Sequence, residues 1–234
     1  MAIAYDLTTN STGIIPKLPA DPVVTVSHTT SGSDRLLVVC AQVYTQTVTG
    51  ITYAGTSMTL ATSVANGNFL TYLYYLANPA LGADNVVITF NASEGQHYSA
   101  SINSYTGVDQ TTPLDATNTA TGSSTTGGTV TVTTVADNCW VVDSLIRDQW
   151  GQSGITVGAG QTERYNTLVG GYGHYGGTSD EGPKTPAGDV VMNWTWSIFF
   201  SLAWATVAAS FKPAGEAGTV VKDLIQPGVI AFPR

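Results

Sequence analysis

The chain has 234 residues, a length that suits one large all-β domain or two small ones. Only 10% of the residues are charged against 43% that are hydrophobic, which excludes a disordered chain because disordered chains are highly charged and poor in apolar residues. The formal net charge is −8 and the 8 Lys and Arg residues are scattered. This argues against a nucleic-acid-binding protein and against a polybasic membrane-surface patch, which both need clustered cations.

The N-terminal segment predicts no export signal and no membrane span. "MAIAYDLTTNSTG" lacks a basic region followed by an apolar one, and no run in the chain approaches the roughly 20 apolar residues of a spanning helix. The stretch that follows, "TTNSTGIIPKLPADP" (Thr8 to Pro22), predicts an arm because it is polar and rich in proline.

The apolar period is two along almost the whole chain, which predicts β-strands rather than helices. Gly, Asn and Pro residues separate these runs as turn residues do. In chain order the predicted strands are "VVTVS" (Val23), "RLLVVCAQVY" (Arg35), "GITYAG" (Gly50), "SMTLATSVA" (Ser57), "FLTYLYYLA" (Phe69), "NVVITFNAS" (Asn85), "HYSASINSYTG" (His97), "GTVTVTTVA" (Gly128), "CWVVDSLI" (Cys139), "VGAGQTERYN" (Val157), "DVVMNWTWS" (Asp189) and "LAWATVAASFKP" (Leu202).

This series predicts an all-β fold, an antiparallel β-sandwich of jelly-roll type with about a dozen strands. No internal repeat is evident, so a single domain with an N-terminal arm is predicted over residues 1–214. Residues 215–234 follow a Lys-Pro-Ala-Gly break and predict a C-terminal tail that docks on this domain or on a neighbouring subunit through two apolar patches. The candidate docking residues are Val220, Leu224, Ile225, Val229, Ile230 and Phe232.

Local motifs of catalysis and metal binding are missing from the sequence. The histidines, His28, His97 and His174, are far apart and lack the partner spacing of a zinc site, and there is no Gly-x-Ser-x-Gly nucleophile elbow. Asp143 and Asp148 fall on opposite faces of one predicted strand, so they do not form an obvious acid–base pair. We therefore predict a non-enzymatic protein with no catalytic residues, no metal and no cofactor.

Both cysteines, Cys40 and Cys139, sit within strand-like apolar runs. The favoured interpretation is two reduced cysteines buried in the core, where free Cys behaves as a small hydrophobe. A disulfide between neighbouring strands is the open alternative.

The stretch "GVDQTTPLDA" places Asp109 and Asp115 on either side of a Thr-Thr-Pro corner. Its carboxylate, amide and hydroxyl oxygens could bind calcium. The favoured interpretation is a turn, in which each aspartate accepts hydrogen bonds from backbone N–H groups about two positions further on.

A glycine-rich stretch from Val169 to Gly188 predicts an exposed contact loop, because tyrosines on flexible backbone make good contact surfaces. A mobile loop without a binding role is the alternative. The candidate contact residues are Tyr172, His174, Tyr175, Asp180 and Glu181.

Six stretches, in this order, resemble a widespread and mostly uncharacterised group of β-sandwich domains of tailed-phage structural proteins and prokaryotic surface proteins. The resemblance covers most of residues 27–214, implies a jelly-roll or lectin-like sandwich with a structural or adhesive role, and carries no catalytic residues. The stretches are "SGSDRLLVV" (Ser31), "ITYAGTSMTL" (Ile51), "LYYLANPALGADNVVITF" (Leu73), "SYTGVDQTTPLDA" (Ser104), "VGAGQTERYN" (Val157) and "WATVAASFKPA" (Trp204).

From this resemblance we expect a structural protein of a phage virion, a capsid decoration protein or another head or tail component. Such a protein would fold in the host cytoplasm without a signal peptide and become part of the virion. Its expected partners are other virion proteins, in a homo-oligomer or a capsid lattice, and neither nucleic acid nor a membrane.

The alternative is a carbohydrate-binding or adhesin module whose partner is a surface glycan. Four of the five tryptophans sit in predicted strands, where core packing is expected. Trp150 and Tyr172 are the better exposed candidates for stacking on a sugar.

Overall fold

The structure is a computed structural model and describes residues 2–15, 22–91, 96–150, 153–170 and 173–215. The described residues form seventeen strands in four antiparallel sheets and contain no helix. None of the described segments therefore forms a helix with the length and hydrophobicity of a membrane span. The prediction of an all-β antiparallel sandwich is confirmed.

The strands fall into two units that follow one another along the chain. The first unit has an inner sheet, ordered β1-β9-β3-β7-β6, and an outer sheet, ordered β2-β8-β4-β5. Its strands are β1 (Ala4–Ile14), β2 (Val23–Thr30), β3 (Leu36–Tyr44), β4 (Val48–Tyr53), β5 (Thr56–Ser57), β6 (Thr59–Asn66), β7 (Phe69–Ala77), β8 (Gly82–Phe90) and β9 (His97–Thr106).

The second unit repeats this plan, with an inner sheet ordered β10-β17-β12-β15-β14 and an outer sheet ordered β11-β16-β13. Its strands are β10 (Leu114–Ser124), β11 (Gly127–Thr133), β12 (Cys139–Asp148), β13 (Thr156–Val157), β14 (Thr162–Leu168), β15 (His174–Lys184), β16 (Asp189–Thr195) and β17 (Leu202–Phe211).

The strands of the two units correspond in chain order, β1 to β4 with β10 to β13 and β6 to β9 with β14 to β17. With this correspondence, the sheets of the two units have the same strand order, apart from β5. In each unit the chain passes back and forth between the two sheets as in a jelly roll, except that β4 and β5, β6 and β7, and β14 and β15 are neighbours in one sheet. The chain is thus a tandem pair of jelly rolls, a repeat that the sequence analysis did not find.

Backbone irregularities repeat as well. The first strand of each unit is bulged at the same place, between Tyr5 and Leu7 and between Leu114 and Ala116, and the bulged residue is an aspartate in both cases. A positive φ also precedes the third strand of each unit, at Asp34 and at Asn138. Equivalent bulges at equivalent places support a repeated unit because a bulge is a specific feature of a strand pair.

The sheets stack in four layers, outer, inner, inner, outer. One apolar cluster fills the first unit, others fill the second, and further clusters join the two inner sheets, with Val38 and Leu73 against Val142 and Val207. Because β3 is covered on both faces, "LLVVCAQVY" is a continuous apolar run rather than an alternating one. Outer strand β16 shows the alternating burial of a sheet with one wet face.

All twelve predicted runs contain a strand. The structure has seventeen strands because it also contains strands that the sequence pattern did not predict. Two of these additional strands correct specific predictions. Residues 8–14 of the predicted N-terminal arm belong to β1, which pairs with β9 along its length. The polar stretch after Asp115, where no strand is predicted, is β10, which pairs with β17.

Both cysteines are free and buried, as the favoured interpretation predicted. Burial raises the pKa of both thiols, that of Cys139 to about 12. Neither thiol is therefore an activated nucleophile at neutral pH.

Candidate functional site

A pocket opens where the two units meet, at the end of the molecule at which β3 and β12 finish and β7 and β15 begin. We call this the apical end and the opposite end basal. The cavity has a volume of about 130 Å³ and is lined by Tyr44, Phe69, Asp148, Gln149, Trp150 and Gly173.

The strand pairing explains why these side chains converge. Tyr44, the last residue of β3, pairs with Phe69, the first residue of β7, and their ring centroids lie 5.3 Å apart. Asp148 closes β12 in the same way in the second unit and pairs with the first residue of β15. The pocket therefore combines equivalent strand ends of the two units, at the kind of junction where ligand sites commonly form.

Trp150 is the most exposed lining residue, with 66% of its surface accessible. Its backbone N–H donates a hydrogen bond to Asp148 Oδ1 at 3.1 Å, which ties the start of the β12–β13 loop to the strand end. The tryptophan is thus held at the pocket while its indole remains accessible. The sequence analysis named Trp150 as an exposed candidate, whereas Tyr172 lies outside the described residues.

Two further aromatic side chains are exposed at the apical end. Phe199 is fully exposed and Phe200 is 48% exposed, both in the loop between β16 and β17. This loop is adjacent to the β12–β13 loop because Ser197 N–H donates to Ser153 Oγ at 3.4 Å. We call Trp150, Phe199 and Phe200 the aromatic rim.

Charge is distributed unequally between the two ends. Asp34, Asp109, Asp137 and Lys212 lie in or beside the basal turns that connect the strands. Asp148, in contrast, is the single charged side chain among the described residues that line the apical pocket. Among the described residues, the apical end is therefore the more aromatic and less charged of the two.

The prediction of a contact loop between Val169 and Gly188 is wrong, because most of this stretch is strand β15 of the second inner sheet. His174, Tyr175 and Asp180 are buried, so they present no external contact surface. Glu181 is half-buried, and burial raises the pKa of its carboxyl. Tyr172 lies outside the described residues.

Asp180 has a role within the fold instead. Its carboxylate accepts two hydrogen bonds from Arg164, at 2.7 and 3.0 Å, and a third from Tyr105 Oη at 2.8 Å. The Arg164 guanidinium also lies 3.6 Å from the centre of the Tyr5 ring. Because Tyr5 and Tyr105 belong to the first unit, this paired charge connects the two jelly rolls.

His174 also faces the first unit. Its Nε2 lies 2.8 Å from Ser99 Oγ, and that hydroxyl donates to Gln42 Oε1 at 2.8 Å. The distance would suit a serine nucleophile and its base. Both residues are fully buried, and burial lowers the pKa of His174 to about 3, so the pair lacks both substrate access and a base suited to neutral pH.

Asp109 forms the predicted turn: its Oδ1 accepts hydrogen bonds from Thr111 N–H at 2.8 Å and Thr112 N–H at 3.0 Å. For Asp115 the predicted partners are wrong, since it accepts from Val135 N–H, 20 positions further along the chain. The described part of the chain contains no group of three or more His, Cys, Asp or Glu side chains placed to hold a metal ion.

The predicted docking residues, Val220 to Phe232, lie outside the described residues. Apart from Trp150, none of the pocket residues was predicted from the sequence as a member of a site. These five are Tyr44, Phe69, Asp148, Gln149 and Gly173. The signal available was that Tyr44 and Asp148 each end a strand that is buried along almost its whole length.

Comparison of the chain with protein-family models, with curated proteins and with solved structures gives no match.

Proposed function

We propose that this chain is a non-enzymatic structural protein of a phage virion, a capsid decoration protein or another head or tail component, that binds neighbouring subunits. The observation that carries the proposal is the aromatic rim. Exposed aromatic side chains grouped at one end, where the described residues include few charged side chains, are typical of surfaces that are covered by another protein.

Two features of the sequence support the same assignment. The ordered set of six stretches resembles domains of tailed-phage structural proteins. The segment after residue 214 carries two apolar patches, which suit a docking tail that adds a strand to a neighbour or fills its surface pockets.

Particle incorporation tests the proposal. We expect Phe199→Ser combined with Phe200→Ser, or deletion of residues 215–234, to reduce the amount of the protein on purified particles at least about tenfold, as loss of an interface hot spot does. Quantitative mass spectrometry of particles measures this amount.

The matched control is Leu81→Ser, which changes a side chain that is 68% exposed at the basal end. This variant should be incorporated normally. Normal incorporation of both the rim variant and the truncated chain would contradict the proposal.

A carbohydrate-binding or adhesin role is the second candidate function. It is favoured by a specific observation, the combination of an exposed indole, a carboxylate and an aromatic wall at the apical pocket.

A further inference from the structure

We infer that the apical pocket is a binding site for a single pyranose ring of a neutral saccharide, with Trp150 as the stacking surface and Asp148 as the hydrogen-bond acceptor. The inference rests on the second candidate function and does not depend on incorporation into a particle.

The size of the pocket selects a small ligand. The cavity volume of about 130 Å³ leaves room for several water molecules, since about 10–15 Å³ of such volume holds one. It is smaller than the 300–1,000 Å³ or so of pockets that enclose drug-sized ligands. One sugar ring suits this space, with the rest of an oligosaccharide extending into solvent.

The walls of the pocket match the two kinds of surface that a pyranose presents. The ring C–H groups carry partial positive charge and pack on the negative face of an aromatic ring, and Trp150 offers an accessible indole. The Tyr44–Phe69 pair supplies a second aromatic wall. Because these rings belong to both jelly-roll units, neither unit alone would provide the site.

The charge of the pocket selects against acidic sugars. Asp148 uses Oδ1 to accept the Trp150 N–H, and a carboxylate has further lone pairs with which to accept a sugar hydroxyl. Arg147, next in the chain to Asp148, interacts with that carboxylate, but its guanidinium is buried over the Tyr175 and Trp196 rings and does not line the pocket. A uronic acid would therefore meet the Asp148 charge with no lysine or arginine among the described lining residues. The site should therefore prefer neutral sugars.

Ligand-observed saturation-transfer NMR on the purified full chain tests this site. The probes are the methyl glycosides of glucose, galactose, mannose and N-acetylglucosamine, with methyl glucuronide as the acidic counterpart. A single ring in an open pocket gives a dissociation constant of about 1 mM, so the probes are used at about 10 mM.

We expect at least one neutral glycoside to bind, with transfer concentrated on its ring protons, and methyl glucuronide to bind at least several-fold more weakly. Trp150→Ala should weaken binding about tenfold because it removes the stacking surface. Asp148→Asn keeps an acceptor oxygen but loses the charge, so it should reduce the discrimination against methyl glucuronide.

The matched control is Phe199→Ala, which removes an exposed aromatic side chain of the neighbouring loop that does not line the pocket. This variant should bind the neutral glycoside like the unaltered chain, and thermal melting checks that all variants are folded. The inference is overturned if no neutral glycoside binds, if Trp150→Ala binds unchanged, or if Phe199→Ala loses binding equally.

These outcomes are independent of the particle experiment. If the chain binds sugar but is not incorporated into particles, only the virion role is contradicted. If the chain is incorporated through the aromatic rim but binds no sugar, only the saccharide site is contradicted. The apical end would then be assigned to a protein partner.

Discussion

At the scale of single residues, two aspartates have the same structural role in the two units. Asp6 accepts hydrogen bonds from Ser104 Oγ at 2.7 Å and Ser31 N–H at 3.0 Å. Asp115 accepts the equivalent bonds from Ser210 Oγ at 2.9 Å and from Val135 N–H at 2.8 Å. Each carboxylate thus joins a bulged first strand to the last strand and to the loop that enters the third strand.

Removing either carboxylate leaves the same loop donors without their acceptor, so Asp6→Ala and Asp115→Ala should each lower the free energy of unfolding by about 1–3 kcal/mol. Urea denaturation at pH 7 measures the change. The control is Asp84→Ala, because Asp84 is exposed and accepts a hydrogen bond from the N–H of the next residue, Asn85. A control variant destabilised as strongly as the other two would contradict this role.

The contribution of Asp6 should also depend on pH. Burial raises the pKa of its carboxyl, but hydrogen bonds from Ser31 and Ser104 outweigh burial, and the net pKa lies below the usual 3.8. The stabilisation is therefore present above pH 3.8 and is lost as the pH falls through the lowered folded-state pKa.

At the scale of elements, strand β15 shows what sequence patterns could and could not predict. Strands such as β3 and β16 can be predicted from their hydrophobic patterns because their own apolar side chains fill the core. In β15, glycines make close packing possible by having no side chain. A Cβ at Gly176 would lie 2.3 Å from Ser99 Oγ of the first unit, and one at Gly177 would lie 2.8 Å from the Trp194 ring.

The sequence therefore showed a glycine-rich run, which normally indicates a loop, and the reason for the glycines lay in residues distant along the chain. The pocket was missed for a similar reason. Its residues come from four separate segments, which meet through strand pairing within each unit and through the packing of one unit on the other.

Alanine substitutions in this stretch distinguish a packed strand from a loop. Gly176→Ala and Gly177→Ala should each cost about 1–3 kcal/mol of unfolding free energy because the added methyl group overpacks the site. Gly170→Ala lies in the same glycine-rich stretch but meets nothing within 4 Å, so its effect should stay within about 0.5 kcal/mol. Equal effects at all three positions, measured by urea denaturation, would restore the loop interpretation.

At the scale of the whole molecule, the chain is a pair of jelly rolls that share their inner layers. Edge strand β6 reaches the second unit through Asn66, whose side-chain amide donates to the carbonyls of Gly122 and Trp204 at 2.8 and 3.0 Å. Edge strand β14, its counterpart, reaches the first unit through Arg164. Each unit thus uses the same edge to hold the other, as the two subunits of a symmetric dimer do.

This arrangement predicts that the units unfold together, and the sequence offers a clean way to test it. All five tryptophans, residues 140, 150, 194, 196 and 204, belong to the second unit. Because Trp140 contacts Tyr105 of the first unit and Trp150 lines the shared pocket, the test uses a chain with both changed to phenylalanine, in which tryptophan fluorescence reports the second unit while far-UV circular dichroism reports both. Ile88 and Met192 are fully buried at equivalent positions of outer strands β8 and β16.

Ile88→Ala and Met192→Ala should each lower the free energy of unfolding by about 2–5 kcal/mol by creating a cavity in one unit. If the shared inner layers couple the units, Ile88→Ala shifts the tryptophan transition as far as the circular dichroism transition, although no tryptophan lies in the altered unit. The two probes should coincide in Met192→Ala as well. A tryptophan transition that stays in place in Ile88→Ala, with a split circular dichroism curve, would show instead that the two jelly rolls are independent domains joined only by the chain.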